Sequence, residues 1–319
     1  MAGMPTAVEV FVENRKRFTS SWLVTVDDQI QNDEERLEAG VLFARIPHRS
    51  TRSAHYQLRL MQRGKYKLGP MKVSTRFPLG LVERSRMFDV HDEIIVHPRL
   101  GRLSAVWKRD QLLAHELVHR EDRRRGVFDD EFHGIREYRW GDNPRAIHWR
   151  TSARRGELMV REFHQSRDQN LILLLDLWQP PRPSVLDLER VELAVSLAGT
   201  ICVEHMRRAG DSDLFFHADG AALTRWEGRA RPRNVDPLLD VLALVAPGTT
   251  VDVGRLVGAV AGKRGRGTRT LLLTTRPRAA GAVPGLELAA LARNGLEAGG
   301  DLKVIPVDEE PLSRFFQLS

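Results

Sequence analysis

Between residues 7 and 98, apolar side chains recur at every second position between clusters of turn-forming residues, the pattern of short strands buried on one face. Val8, Val10 and Val12 share a face. So do Trp22, Val24 and Val26, and so do Tyr56, Leu58 and Leu60, whose neighbours His55, Gln57 and Arg59 point to the other side. Gly64, Gly69-Pro70, Pro78 and Gly80 interrupt the runs where the chain must turn, and residues 93–96 close the series before Pro98. A small antiparallel β-sandwich over residues 1–100 is predicted.

The period then changes. Val106, Trp107, Leu112, Leu113, Leu117 and Val118 recur mostly at three- to five-residue spacing, which favours a helix bridging two domains. Residues 120–126 are densely charged and end at a glycine, as a solvated helix end or loop would. From Asn170 strands alternate with helices, the pattern of a parallel sheet covered on both faces by right-handed crossovers. LILLLD at 171–176 is its first buried strand. Ser184 and Asp187 can cap a helix running through Arg190, Ala194, Leu197 and Ile201 to Arg208. Further strands are predicted at 213–217, 270–274 and 303–307, with helices at 237–245 and 285–294. The fold class is therefore multidomain β plus α/β, divided into a β-domain (1–100), a bridge (101–169) and an α/β domain (170–319).

A chain of 319 residues can hold two cores, and its hydrophobic fraction of 42% and charged fraction of 29% are ordinary for globular proteins. No apolar run approaches the length of a membrane helix, and the N-terminus lacks a basic-then-apolar secretory pattern, so the cytoplasmic side is expected. Cys202, the single cysteine, lies in an apolar stretch and reads as a buried thiol. The net charge of +7 favours anionic surfaces such as lipid headgroups. Nucleic acid is not an expected partner, because the arginines are interleaved with acids and aromatic residues do not alternate with the basic ones.

Residues 132–163 read FHGIREYRWGDNPRAIHWRTSARRGELMVREF. This stretch closely resembles the signature of the bacterial domain-of-unknown-function family 58. RGKYKLGP at 63–70 and FPLGL at 77–81 are also similar to that family, although Arg76 stands where it often has an acid. Physically the signature is a wrapped polar junction: Gly141-Asp142 offers a turn and Pro144 fixes the chain after it. Arg136, Arg139, Arg145 and Arg150 present planar forks for Glu137, Asp142 or carbonyls, with Trp140, Ile147 and Trp149 as expected buried anchors. The site residues singled out are Arg136, Tyr138, Arg139, Gly141, Asp142, Pro144, Arg145, Trp149, Arg154 and Arg161, either fastening the bridge to the C-terminal domain or docking a partner.

The resemblance implies a C-terminal von Willebrand A-like fold, whose metal site begins Asp-x-Ser-x-Ser after the first strand. Here Asp176 is followed by Trp178 and Pro180 at the serine positions, and neither offers an oxygen to a hard cation. The later strand ends Thr274-Thr275-Arg276, which adds positive charge. No metal or other cofactor is therefore expected at these degenerate positions, Asp176, Trp178, Pro180 and Thr274.

The most enzyme-like string is HELVH at 115–119, in which His115 and His119 could hold zinc with Glu116 as general base. No xxGxxH extension follows, and His133 or Glu137 would have to supply the third ligand. No GxSxG elbow, phosphate-binding loop or GxGxxG turn occurs, and GKRGRG at 262–267 resembles such a loop only in composition. The resemblance implies a non-enzymatic adaptor working with a MoxR-type AAA+ ATPase in assembly or maturation of envelope or other complexes. Relatives often carry membrane helices ahead of the β-domain, and this chain begins almost at that domain, so an anchor is either removed or absent. A zinc hydrolase built on HELVH and a polyanion-binding module are the alternatives.

Overall fold

A computed structural model describes residues 1–78, 80, 82–107, 109, 131–140, 142, 144–164, 170–208, 212–263, 268–277, 301–307, 312 and 315–318. In the first hundred residues, β1 (Pro5–Asn14) pairs along its whole length with antiparallel β4 (Ser50–Arg59). A larger antiparallel sheet is centred on β2 (Ser21–Gln31), with β3 (Arg36–Ile46) along one edge. On the other edge, β6 (Met71–Thr75) pairs with the first half of β2 and β5 (Gly64–Leu68) with its end. β7 (Arg84–Phe88) extends the sheet from β6, and β8 (Asp92–Val96) from β5.

The two sheets share one core. Val10, Val24, Val26, Ile30, Val41, Phe43, Tyr56, Leu58 and Tyr66 are all buried in it, as alternation requires when one face of each strand leaves water. Asp28 is the buried exception on β2, and it is fully paired: Tyr56 donates its hydroxyl at 2.7 Å and the Gly69 amide donates at 3.0 Å. Trp22, expected inward, lies partly exposed at the sheet's end, stacked on Phe77 with ring centroids 6.0 Å apart.

β9 (Gly101–Leu103) pairs with β17 (Phe316–Leu318), so the end of the chain returns to the start of the bridge. Of the predicted helix between residues 103 and 120, Ala105 to Trp107 is helical and most of the remainder lies outside the described residues. The signature forms an antiparallel pair, β10 (Glu131–Glu137) and β11 (Met159–His164), joined through a 3-10 turn at Pro144–Ala146 and a short helix, α1 (Trp149–Arg155).

The C-terminal half is built on β12 (Leu171–Asp176), β13 (Asp213–Asp219), β14 (Thr224–Arg229), β15 (Arg269–Thr274) and β16 (Asp301–Pro306), in the order β14-β13-β12-β15-β16. All pairs are parallel except the antiparallel edge strand β14. β12 lies between two parallel neighbours and is buried at every position, which is why its sequence is a continuous apolar run and not an alternation. Leu173 and Leu175 pack with Phe216, Leu271 and Leu273 under α2 (Val185–Arg208) and α3 (Val235–Leu244). Ile172, Leu174 and Leu272 face the opposite layer, against Val253 and Val257 of α4 (Val253–Ala259).

The capping box at the start of α2 is as read: Ser184 N–H donates to Asp187 at 2.9 Å, and Asp187 N–H donates back to the Ser184 hydroxyl at 3.2 Å. Burial of Cys202 in α2 pushes its thiol well above the ordinary range, so it is inert. The helical or loop bridge is corrected where β9, β10 and β11 run as strands, because their pairing partners are distant in sequence or separated by the signature turn, and β14 and α4 are additions to the predicted pattern. β14 has one face half-buried and one in water, and α4 is under two turns long, so neither leaves a strong periodic signal. The predicted helix at 285–294 lies outside the described residues.

The β-domain is bonded to the α/β half through side chains. Arg63, between β4 and β5, pairs with Glu192 of α2 and donates to the Val245 carbonyl at 2.8 Å. His97 meets Asp240 of α3 at 2.8 Å, and Gly101 N–H donates to the Thr200 hydroxyl at 2.9 Å. No described helix is long and apolar enough to cross a membrane.

Candidate functional site

The signature is organised around Asp142. Arg136 grips this carboxylate with both arms of its fork, at 2.7 and 2.8 Å, while the Arg139 amide donates to it at 2.7 Å. Two parallel charge-assisted bonds fix the plane of the carboxylate as well as its distance, so the turn after β10 is held rigidly. The Arg136 guanidinium holds the Asp142 carboxyl well below the usual carboxylate range, at about 2. Tyr138 spans the same turn: its amide donates to Leu158 across the strand pair and its hydroxyl reaches the Asp142 carbonyl at 3.4 Å.

The second half of the signature is fastened by His148 and Ser152. His148 caps α1, its Nδ1 accepting from the Thr151 amide at 3.2 Å and lying 2.7 Å from the Thr151 hydroxyl. The buried Ser152 hydroxyl accepts from Met159 N–H at 2.9 Å and stitches the helix to β11. Gly156, at φ 76°, ends α1 in the left-handed conformation that glycine tolerates best.

The expectation of buried tryptophans is corrected. Trp140 is 100% exposed and Trp149 is 67% exposed, while Ala146, Met159 and Val160 fill the interior that was assigned to them. The polar clamp is self-contained, so it needs no indole beneath it, and the large rings remain in water; Arg150, Arg154 and Arg155 are exposed as well. Pro144 is exposed in the 3-10 turn, as its fixed φ suits. Gly141 and the side chains of Arg145 and Arg161 lie outside the described residues.

A second constellation sits at the C-terminal edge of the parallel sheet. Asp176 ends β12 and is directly opposite Asp219 on β13 and Thr274 on β15, and both acids are fully buried. Thr274 donates its hydroxyl to Asp176 at 2.6 Å, and Arg276 Nε donates to the same oxygen at 2.9 Å. Arg276 is therefore a partner of this carboxylate, which corrects its reading as mere positive charge. It also donates to the Val251 carbonyl at 2.8 Å and lies over the Trp178 ring, 5.7 Å from its centroid. Burial raises the Asp176 carboxyl above its ordinary range, against the pull of Thr274 and Arg276 and with a push from Asp219. The other Asp176 oxygen, Oδ1, has no hydrogen-bond partner among the described residues.

Asp219 is matched by Arg255 of α4 at 2.5 Å and by the Asp252 amide at 3.1 Å, while Asp252 caps α4 by accepting from Gly254 at 2.8 Å. Two buried acids are thus faced by two arginines. Sequence reasoning missed Asp219, Asp252 and Arg255. The available signal was Asp219-Gly220 at the end of the apolar run DLFFHAD, matching Asp176 at the end of LILLLD. Gly220 and Gly248 let the flanking loops touch, since a Cβ at Gly248 would stand 2.3 Å from the Gly220 carbonyl oxygen. Pro180 is half-buried beyond Trp178, away from the hydrogen bonds of Asp176.

Among the described residues, no group of three or more His, Cys, Asp and Glu is arranged to hold a metal. His115, Glu116 and His119, and the side chain of His133, lie outside the described residues, as does most of the 262–267 run. Glu137 is exposed at the end of β10.

Residues 134–231 match the family described as protein of unknown function DUF58. The chain is also similar to the uncharacterized protein YeaD of Bacillus subtilis (strain 168), at 35% identity over 128 residues. That similarity covers 38% of this chain and 30% of the relative's length. The family match begins within β10 and ends just after β14, so it takes in the clamp, Asp176 and Asp219.

Proposed function

We propose that this chain is a non-enzymatic scaffold or adaptor that docks a partner through the turn and helix of its signature, with a MoxR-type AAA+ ATPase as that partner. The observation that carries the reading is the exposure of Trp140 and Trp149 on a backbone locked by Arg136 and Asp142. Large rings on a rigid support bury area on docking at little entropic cost, and tryptophan and arginine dominate the energetics of protein interfaces. A mobile loop would gain less from the same residues.

The α/β half is read as a von Willebrand A-like module with a degenerate metal position. Supporting this are the parallel sheet with helices on both faces and the Arg276 guanidinium against Asp176, where such modules present oxygens to a cation. A site whose acids are each matched by arginine favours contact over reaction. The net charge of +7 suits a place beside the cytoplasmic face of a membrane carrying anionic lipid. The test is a pull-down from native membranes with the full chain as bait. An AAA+ ATPase retained by the wild type and lost with Trp140→Ala/Trp149→Ala supports the proposal. Equal recovery by both baits, or recovery by neither, counts against it.

A further inference from the structure

The two sheets of the β-domain do not close on each other. Among the described residues β1 pairs only with β4, and β7 only with β6, so each carries one unpaired edge. Between those edges runs an open cleft of about 1250 Å³, lined on one side by consecutive residues 10–14 of β1 and the two residues that follow it, and on the other by β6 and β7. Consecutive lining residues mean that the cleft follows the strand's edge, where its backbone N–H and C=O groups point. Its floor is apolar, made by Val10, Val12, Val24, Val26, Ile46 and Val73. Every residue of β7 is exposed, including Met87 at 53% and Phe88 at 41%. A strand with an unpaired edge and both faces in water is unusual in a folded sheet, because edges are normally covered, shortened or twisted away.

We propose that this cleft receives an extended segment of a partner protein as an added strand, with apolar side chains alternating with acidic ones. Pairing along β1 would satisfy the free backbone groups and set every second side chain over the valine floor, as strand addition does elsewhere. The charge of the rim selects the other face. Among the described residues, Arg15, Lys16, Arg76, Arg84 and Arg86 line the cleft against a single acid, Glu13. Arg15 is matched by Glu13 and Arg76 by Glu83, whereas Lys16, Arg84 and Arg86 have no carboxylate partner among the described residues. Pairing β7 with its own counterpart in a second copy of this chain would set arginines against arginines, so the charges disfavour that form of self-association. An acyl chain could cover the valines but would leave the backbone of both edges unpaired.

The probe is an acetylated, amidated heptapeptide alternating glutamate and valine, as long as the lining run 10–16, titrated against the full chain at low salt. Two control peptides accompany it: one N-methylated at alternate amides so that it cannot pair along an edge, and one with lysine in place of glutamate. The proposal expects saturable binding of the acidic probe, weakened about tenfold or more by N-methylation and by lysine. Arg84→Glu/Arg86→Glu, on exposed β7, should weaken the acidic probe and strengthen the lysine one, with an unchanged melting temperature showing that the fold is intact. No saturable binding below about 1 mM overturns the proposal. So does equal binding of the N-methylated peptide, or displacement of the probe by a fatty acid with no effect of N-methylation, which would make the cleft a lipid site.

Discussion

Replacing Arg276 by methionine keeps most of its volume over Trp178 and removes its charge. Asp176 then loses the 2.9 Å bond to Nε, the Val251 carbonyl loses its donor, and Asp176 keeps only the Thr274 hydroxyl beside a buried Asp219. Removing one partner of a buried pair costs about 3–5 kcal/mol when the remaining charge has no relief. Arg276 is 23% exposed, so water reaches the site in part, and Asp176 can take up a proton. An expected cost of about 2–4 kcal/mol at pH 7 follows, a fall in melting temperature of about 5–15 °C for an α/β half of this size. The pH dependence has a definite sign. The folded Asp176 carboxyl is already raised, and losing Arg276 raises it further. A raised group contributes stability that is present on the acid side and lost as pH rises through the folded value. The deficit of Arg276→Met relative to wild type should therefore be larger at pH 8 than at pH 5. Asp176→Asn in the same chain should recover at least half of it. Urea denaturation of the four proteins of this double-mutant cycle at both pH values is the assay. A cost below about 0.5 kcal/mol at pH 7, or a deficit that is independent of pH and not relieved by Asp176→Asn, would refute the buried ion pair.

Other consequences are independent of that site. His205 is lowered to about 4 by burial and by Arg269, so its contribution is present above its ordinary 6.5 and lost as pH falls through that window, by at most about 3 kcal/mol; His205→Gln should flatten stability between pH 7 and 4. Tyr56→Phe strips buried Asp28 of its hydroxyl donor and should cost about 1–3 kcal/mol in denaturant melts. Asp142 is held low, so its bonds to Arg136 are kept above the ordinary carboxylate range and lost as pH falls toward about 2. Asp142→Asn should accordingly speed hydrogen exchange at the amides of Tyr138 and Arg139 while leaving those of β12 protected.

The α/β half was legible because its strands and helices leave unmixed patterns: an apolar run for β12, a capping box and long apolar stretch for α2. The β-domain was legible for the complementary reason, with valines at every second position and one face in water. What escaped were elements whose meaning comes from tertiary placement. The pairing of β9 with β17 joins residues far apart in sequence, and β14 and α4 are too short or too mixed to stand out. At the site, Asp176 stands out through the family resemblance, which puts the start of a metal motif there, but Asp219 acquires its role only because parallel register sets the two acids side by side. Trp140 and Trp149 depart from expectation because aromatic content predicts burial only where the core needs it, and here the Arg136–Asp142 clamp supplies the rigidity by itself.

The most direct test of the docking account places a photo-crosslinking amino acid at position 140 of the full chain in living cells, with exposed Thr51 on β4 as the control position. Irradiation should give one dominant adduct from position 140, with an AAA+ ATPase, that is absent from position 51 and diminished by Trp149→Ala. Adducts indistinguishable between the two positions, or none containing such an ATPase, would contradict it.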